Sequence, residues 1–178
     1  NNLALDSSNN SSSSMVVSRY PIVLLLEEIN DIFFNSNKMN PGWFRLIMSI
    51  ALVSFREGVF DDTTEIALSA FVATNVFIKL FPSYDPIEQP IMEMPTLFNE
   101  LWQIHNQINK RVIPEIITSS QDDDTQSYEV PQDRWIAFVT GLSNLAKLNF
   151  APILKKVKPI PLNAISTLES LKTAPQLV

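Results

Sequence analysis

Apolar residues recur along the chain with the spacing of an α-helix, at i, i+3, i+4 and i+7, in runs separated by prolines and polar clusters. The runs extend over about 21–34, 43–57, 62–81, 96–113 and 132–149, and a weaker run follows Asn163. Runs of this length are longer than typical strands and match ordinary globular helices. The pattern therefore predicts an all-α fold, an irregular helical bundle of about five to six helices.

The second run, WFRLIMSIALVSF, is apolar on two faces instead of one. One face holds Phe44, Ile47, Met48, Ala51, Leu52 and Phe55, and the other holds Leu46, Ile50 and Val53. As a helix the stretch would span about 20 Å, which is shorter than the roughly 30 Å hydrocarbon core of a bilayer. We therefore expect a core helix, whose second face is covered by this chain or by a partner. Insertion of 43–55 into a membrane is the alternative.

Capping residues and prolines predict where several helices begin and end. The sequence Asp62-Thr63-Thr64-Glu65 resembles a capping box and predicts the start of the third helix, which Pro82 would end. Four prolines between 82 and 95 exclude a helix there and predict an extended connector. Pro114 is expected to kink or end the fourth helix, and Asn163 to cap the last one.

The chain is predicted to have one folded domain that follows a polar N-terminal tract. Residues 1–15 form a Ser/Asn-rich tract with too little apolar content to order itself, and we expect a flexible linker. Residues 16–178 then form a single all-α domain, with a connector at 82–95, an acidic loop at 118–130 and a basic, proline-broken segment at 151–161. Paired helices are also compatible with part of a HEAT/armadillo-like helical-repeat array, although no consensus residues of such repeats occur.

Composition narrows the classes of function. With only three glycines, the sequence contains no glycine-rich phosphate-binding loop motif. The absence of cysteine excludes disulfides, thiolate chemistry and cysteine-ligated metals. A net charge of -6 argues against non-specific nucleic-acid binding. Hydrophobic residues make up 46% and charged residues 18%, below the roughly 25% typical of globular domains. We expect a large core or a partner-covered surface, and an intracellular location (cytoplasm or nucleus) in a eukaryotic protein.

The candidate chemical groups are better explained as structural residues. His105 is the only histidine in the sequence, which offers no second histidine or cysteine beside it, and Asp122 to Asp124 do not follow an EF-hand pattern. Glu27 and Asp31 are expected to lie on a solvated helix face. No catalytic residue, cofactor or metal site is therefore predicted, and the protein is expected not to be an enzyme.

Two segments are predicted to bind a protein partner. In the connector the candidates are Ile87, Ile91, Met92 and Met94, because methionine-bearing apolar surfaces adapt to partners. In the basic segment they are Lys155, Lys156 and Lys158, which would contact an acidic surface. Ser119 and Ser120 each have an aspartate three residues on, which predicts regulatory phosphorylation.

These features favour a non-enzymatic helical module for protein–protein interaction, a scaffold fragment of a larger protein or a subunit of a multiprotein assembly. A membrane-associated helical protein is the first alternative. A helical regulator of a small GTPase is the second, with Arg45, Arg56 or Arg134 as the charge-stabilising group.

Overall fold

The computed structural model describes residues 29, 32, 39–122 and 124–177. The predicted linker and most of the first predicted helix lie outside the described residues. Ile29 and Ile32 are helical, and Ile32 is buried.

Helices dominate the described part of the chain. They are α1 (Pro41–Ser54), α2 (Asp62–Leu80), α3 (Thr96–Gln103), a π-helical segment (Ile104–Ile108), α4 (Val112–Ser119), α5 (Pro131–Ala146), α6 (Ala151–Leu154) and α7 (Leu162–Leu168). Two short strands, β1 (Leu148–Asn149) and β2 (Lys172–Thr173), pair in parallel and were not expected from the sequence. The prediction of an all-α irregular helical bundle is confirmed, whereas a repeat array stays a prediction.

The chain divides into two compact units. The first unit comprises the described residues within Asn1–Ser54 and Val72–Glu93, and the second comprises those within Phe55–Phe71 and Met94–Val178. Helix α2 contributes residues to both units. The predicted single domain over 16–178 stays a prediction.

The first unit has an aromatic core between α1 and the second half of α2. The ring of Phe44 meets that of Phe77 edge-on at 5.2 Å between centroids, and both side chains are fully buried. Helix α1 begins after Asn40, whose Oδ1 accepts a 2.9 Å hydrogen bond from the Trp43 amide. The expected inner face is buried at Phe44, Met48, Ala51 and Leu52. On the opposite face Ile50 is 51% exposed and Leu46 and Val53 are half-buried, so the described residues cover that face incompletely.

The second unit is organised around α5. This helix packs against α4, α6, α7 and β1, and Trp135, Phe138 and Leu142 of its inner face are buried. Phe138 lies edge-on to Phe60 at 5.9 Å, and Phe60 in turn contacts Phe55. Pro131 occupies the first turn of α5, where a backbone N–H would have no hydrogen-bond partner within the helix, so proline's lack of that group costs no hydrogen bond.

Asp61, not Asp62, caps helix α2. The Asp61 Oδ1 accepts a 2.9 Å hydrogen bond from the Thr64 amide, and Asp61 is 2% exposed. The predicted capping box is therefore wrong by one position, because the third residue after the cap is Thr64 instead of Glu65. The predicted end of this helix holds, since α2 stops at Leu80, just before Pro82.

The fourth predicted helix is interrupted before Pro114. After α3 the chain widens into the π segment, closed by the Asn109 amide bonding to the Ile104 carbonyl at 3.0 Å, and Asn109 then adopts an extended conformation. Asn109 Oδ1 accepts the Arg111 amide at 2.9 Å, which starts a new helix. Pro114 sits in the first turn of α4 and so neither kinks nor ends a helix.

The last helix begins before the predicted cap. Helix α7 starts at Leu162, directly after Pro161, so Asn163 lies inside its first turn. The residue at the cap position is Pro161, which makes no side-chain capping bond, and the Asn163 carbonyl accepts the Ser166 hydroxyl.

Candidate functional site

The connector is anchored in the first unit by Tyr84. This residue is only 5% exposed, and its ring lies 5.9 Å from that of Phe77. Its amide donates to the Phe81 carbonyl at 2.9 Å. Burial raises the pKa of the Tyr84 phenol, the Ile91 backbone lowers it by a smaller amount, and the charge of Asp85 raises it. The connector is thus fixed to the core at its start.

Asp85 shapes the turn that follows. Its Oδ1 accepts the amides of Ile87 at 2.8 Å and Glu88 at 3.1 Å, and its carbonyl accepts the Gln89 amide at 3.0 Å. The result is a turn held by local bonds that leaves the Ile87 side chain 54% exposed.

The four apolar residues predicted to bind a partner do not have equal exposure. Ile87 is exposed, whereas Ile91, Met92 and Met94 are half-buried. Met94 also belongs to the second unit, while the other three belong to the first. Ile87 is therefore the most accessible apolar side chain of the predicted set.

The connector lies in a purely acidic stretch of the sequence. Between Leu80 and Asn109 there is no lysine or arginine, and the carboxylates are Asp85, Glu88, Glu93 and Glu100. The first three of these are exposed. The absence of lysine and arginine from this stretch can be read from the sequence. The prediction that the connector binds a partner was instead based on its prolines and methionines.

The three predicted lysines of the basic segment have different surroundings. Lys155 and Lys156 are exposed after the short helix α6. Lys158 instead forms an ion pair with the buried Oδ2 of Asp61, and its Nζ lies 5.9 Å from the centre of the Trp135 ring. Lys158 is therefore paired within the second unit, with its side chain 28% exposed, whereas Lys155 and Lys156 are more fully exposed to solvent.

The basic segment lies in an equally one-signed stretch. Between Arg134 and Leu168 there is no aspartate or glutamate, and the cations are Arg134, Lys147, Lys155, Lys156 and Lys158. Directly after the segment, Leu162 at the start of α7 is 83% exposed. Leu162 was not predicted, because a helical period alone does not distinguish an exposed residue in the first turn of a helix from a buried core residue.

The two predicted phosphorylation sites differ in access. Ser119 is exposed and its hydroxyl bonds to the Ile116 carbonyl at 3.1 Å. Ser120 is 2% exposed and its hydroxyl bonds to the Ile117 carbonyl at 2.6 Å. Ser119 is the more accessible of the two, and phosphorylation of either stays a prediction.

Two arginines hold the acidic loop from outside it. Arg56 donates from a terminal nitrogen to the Asp122 carbonyl at 2.7 Å. Arg134 donates to the carbonyls of Tyr128 at 2.6 Å and Glu129 at 3.2 Å. Both guanidinium groups were candidates for a GTPase-regulating role, and the structure places them on loop carbonyls of the same molecule.

His105 lies in the π segment within an aromatic cluster. Its ring is 4.9 Å from that of Phe71 and 6.0 Å from that of Trp102. Burial lowers the pKa of the His105 imidazole, and the charge of Lys110 lowers it further. Among the described residues, no group of three or more histidine, aspartate or glutamate side chains is placed to hold a metal ion.

One described helix, α2, is long and apolar enough to cross a membrane by length and composition alone. Its apolar window is 56% buried within the protein, and core helices pass the same test. Helix α1, which contains all but the last residue of the predicted insertion segment 43–55, has 14 residues and is shorter than a span requires.

No protein family model matches this chain, and neither the curated proteins nor the solved structures contain a significant match to it.

Proposed function

We propose that this chain is a non-enzymatic helical module for protein–protein interaction, a scaffold piece or subunit of an assembly, and that its connector is the contact surface. The observation that carries the proposal is the exposed Ile87 on a turn held by Tyr84 and Asp85. A single exposed apolar side chain is common on protein surfaces. Ile87 differs because its backbone is already ordered before any partner arrives.

Prior ordering matters for binding because a partner need not immobilise the loop. Ordering a flexible segment and its side chains on binding opposes association. The Asp85 carboxylate and the buried Tyr84 ring have already fixed the turn on which Ile87 sits. Ile87 can therefore enter an apolar pocket of a partner and act as an anchor residue.

The face of α1 that the described residues cover only in part supports the same function. Ile50 is 51% exposed between half-buried Leu46 and Val53, so the first unit keeps apolar surface in addition to Ile87. Exposed apolar surface of this kind favours contact with another protein.

The test compares proteins that remain bound to the full chain when it is purified from its own cells. Wild type, Ile87→Ser and a matched control, Val130→Ser, are compared by quantitative mass spectrometry, with a differently tagged copy of the chain co-expressed. Val130 is 51% exposed, close to the 54% of Ile87, but lies at the start of α5.

We expect at least one protein, or the tagged copy, to be lost with Ile87→Ser and kept with Val130→Ser. An unchanged set of bound proteins in the Ile87 variant would refute the proposal. Thermal unfolding followed by circular dichroism checks that both variants remain folded.

A further inference from the structure

We propose that the connector of one copy docks onto the basic segment of a second copy, so that the chain assembles head to tail. This inference rests on the proposed function of the connector as a contact surface and adds the identity of the partner. The docking surface on one side consists of Asp85, Ile87 and Glu88, and on the other of Lys155, Lys156 and Leu162.

The charges of the two surfaces are complementary. The connector at 82–95 contains no lysine or arginine and exposes Asp85 and Glu88, whereas the basic segment at 151–161 contains no aspartate or glutamate and exposes Lys155 and Lys156. Two connectors would repel each other, as would two basic segments, whereas a connector and a basic segment attract. Charge therefore favours the unlike pairing and disfavours the symmetric ones.

Each surface also presents an apolar side chain beside its charges. Ile87 is 54% exposed next to Glu88, and Leu162 is 83% exposed after the basic segment. An interface needs such anchors because exposed ion pairs alone contribute little to affinity.

Both surfaces are held in place by contacts within their own unit. Asp85 fixes the turn around Ile87, as described above. The chain after α6 is turned by bonds from the amides of Lys155 to Ala151 at 3.0 Å and of Lys156 to Ile153 at 3.2 Å. The ion pair of Lys158 with Asp61 then ties the segment to the second unit and leaves Lys155 and Lys156 pointing to solvent.

Unlike surfaces on the same chain lead to a particular kind of assembly. When connector and basic segment join, each pair of copies keeps one free connector and one free basic segment. Such a heterologous contact adds further copies and forms an open chain or a ring. Both self-association and its growth with concentration follow from this arrangement.

The test uses sedimentation velocity on the full chain at low and high protein concentration and at low and high salt. A connector variant carries Ile87→Ser and Glu88→Lys, and a basic-segment variant carries Lys155→Glu and Lys156→Glu. The matched control carries Glu129→Lys and Val130→Ser, which change an exposed acid and an adjacent exposed apolar residue outside the docking surfaces.

We expect wild type and the control to self-associate with concentration, and each docking variant to be monomeric. Losing the apolar anchor alone weakens association by roughly tenfold or more, and the charge reversal adds to it. Added salt should weaken wild-type association, because exposed charges are screened. An equal mixture of the two docking variants should form pairs, because it retains one intact connector and one intact basic segment, and growth beyond pairs should be weak because the remaining connector lacks the Ile87 anchor.

The mixture is the decisive measurement, since two misfolded variants could not restore a pair. A monomeric wild type, a connector variant that still self-associates, or a mixture that stays monomeric would each overturn the head-to-tail contact. If the wild type is monomeric while Ile87→Ser still loses a different bound protein, the proposed function stands and the second copy is not its partner.

Discussion

The connector and the acidic loop are both irregular segments between helices, but they are held by different means. The connector is ordered by residues close to it in sequence, since the buried ring of Tyr84 packs on Phe77 of α2 and the Asp85 carboxylate holds the turn. The acidic loop is ordered by residues from other parts of the second unit, Arg56, Arg134 and Gly58. A turn held by nearby residues keeps its shape independently of distant ones, whereas the acidic loop depends in addition on Arg56 and Gly58, which are far away in sequence.

The largest expected effect concerns the connector's anchor. Tyr84→Ala removes a buried ring that packs on Phe77, and we expect the free energy of unfolding to fall by about 3 kcal/mol. The half-buried Tyr128 of the acidic loop serves as comparison, and Tyr128→Ala should cost about 1 kcal/mol. Urea denaturation measures both. Equal losses would show that the two segments do not differ in their anchoring.

A smaller effect is expected at Gly58, which contacts the acidic loop. Its φ of +82° suits glycine, and an added Cβ would lie 3.1 Å from the Ser127 Cβ. Its carbonyl accepts the Tyr128 amide at 2.8 Å. Gly58→Ala should therefore destabilise the fold by about 1–2 kcal/mol in urea denaturation.

Gly141 provides the matched control for that substitution. It lies within α5, and an added Cβ would meet the Ile116 Cδ1 at an ordinary 3.5 Å. Gly141→Ala should be neutral or stabilising by up to about 1 kcal/mol, because alanine favours the helix. If both variants lose the same stability, the conformation of Gly58 has no special role.

The smallest effect is expected for one of the loop's arginines. Arg134→Met removes two hydrogen bonds to loop carbonyls and should cost about 1 kcal/mol, since the group is partly exposed. Hydrogen exchange should become faster at the Tyr128 amide and stay unchanged at the Gln89 amide of the connector. Arg111→Met, at the exposed start of α4, is the control. Faster exchange at Gln89 would contradict the local anchoring of the connector.

The helices were largely predictable because their signals are local. Helices α1, α2 and α5 lie where the apolar period and the flanking prolines placed them. The π segment was not predicted, since Leu97, Leu101, Ile104 and Ile108 continue the spacing of an α-helix through it. The cap of α2 was displaced by one residue because Asp61 and Asp62 are adjacent and equally suitable.

The candidate surfaces were only partly predictable. Proline content indicated the connector, but its exposure depends on how Tyr84 and Asp85 bond within the turn. Lysine content indicated the basic segment, but the reduced exposure of Lys158 depends on its ion pair with Asp61, which is far away in sequence. Contacts of this kind leave no periodic trace along the chain.

The Asp61 carboxylate has a consequence for the order of folding. One of its oxygens caps α2 and the other pairs with Lys158, which lies 97 residues later in the chain. Closing so long a segment is slow because chain entropy is lost before the contact forms. During synthesis on the ribosome, Asp61 at the start of α2 would emerge before Lys158, so its carboxylate would still lack its ion-pair partner. The second unit can therefore complete its core only late in synthesis, after Lys158 has emerged.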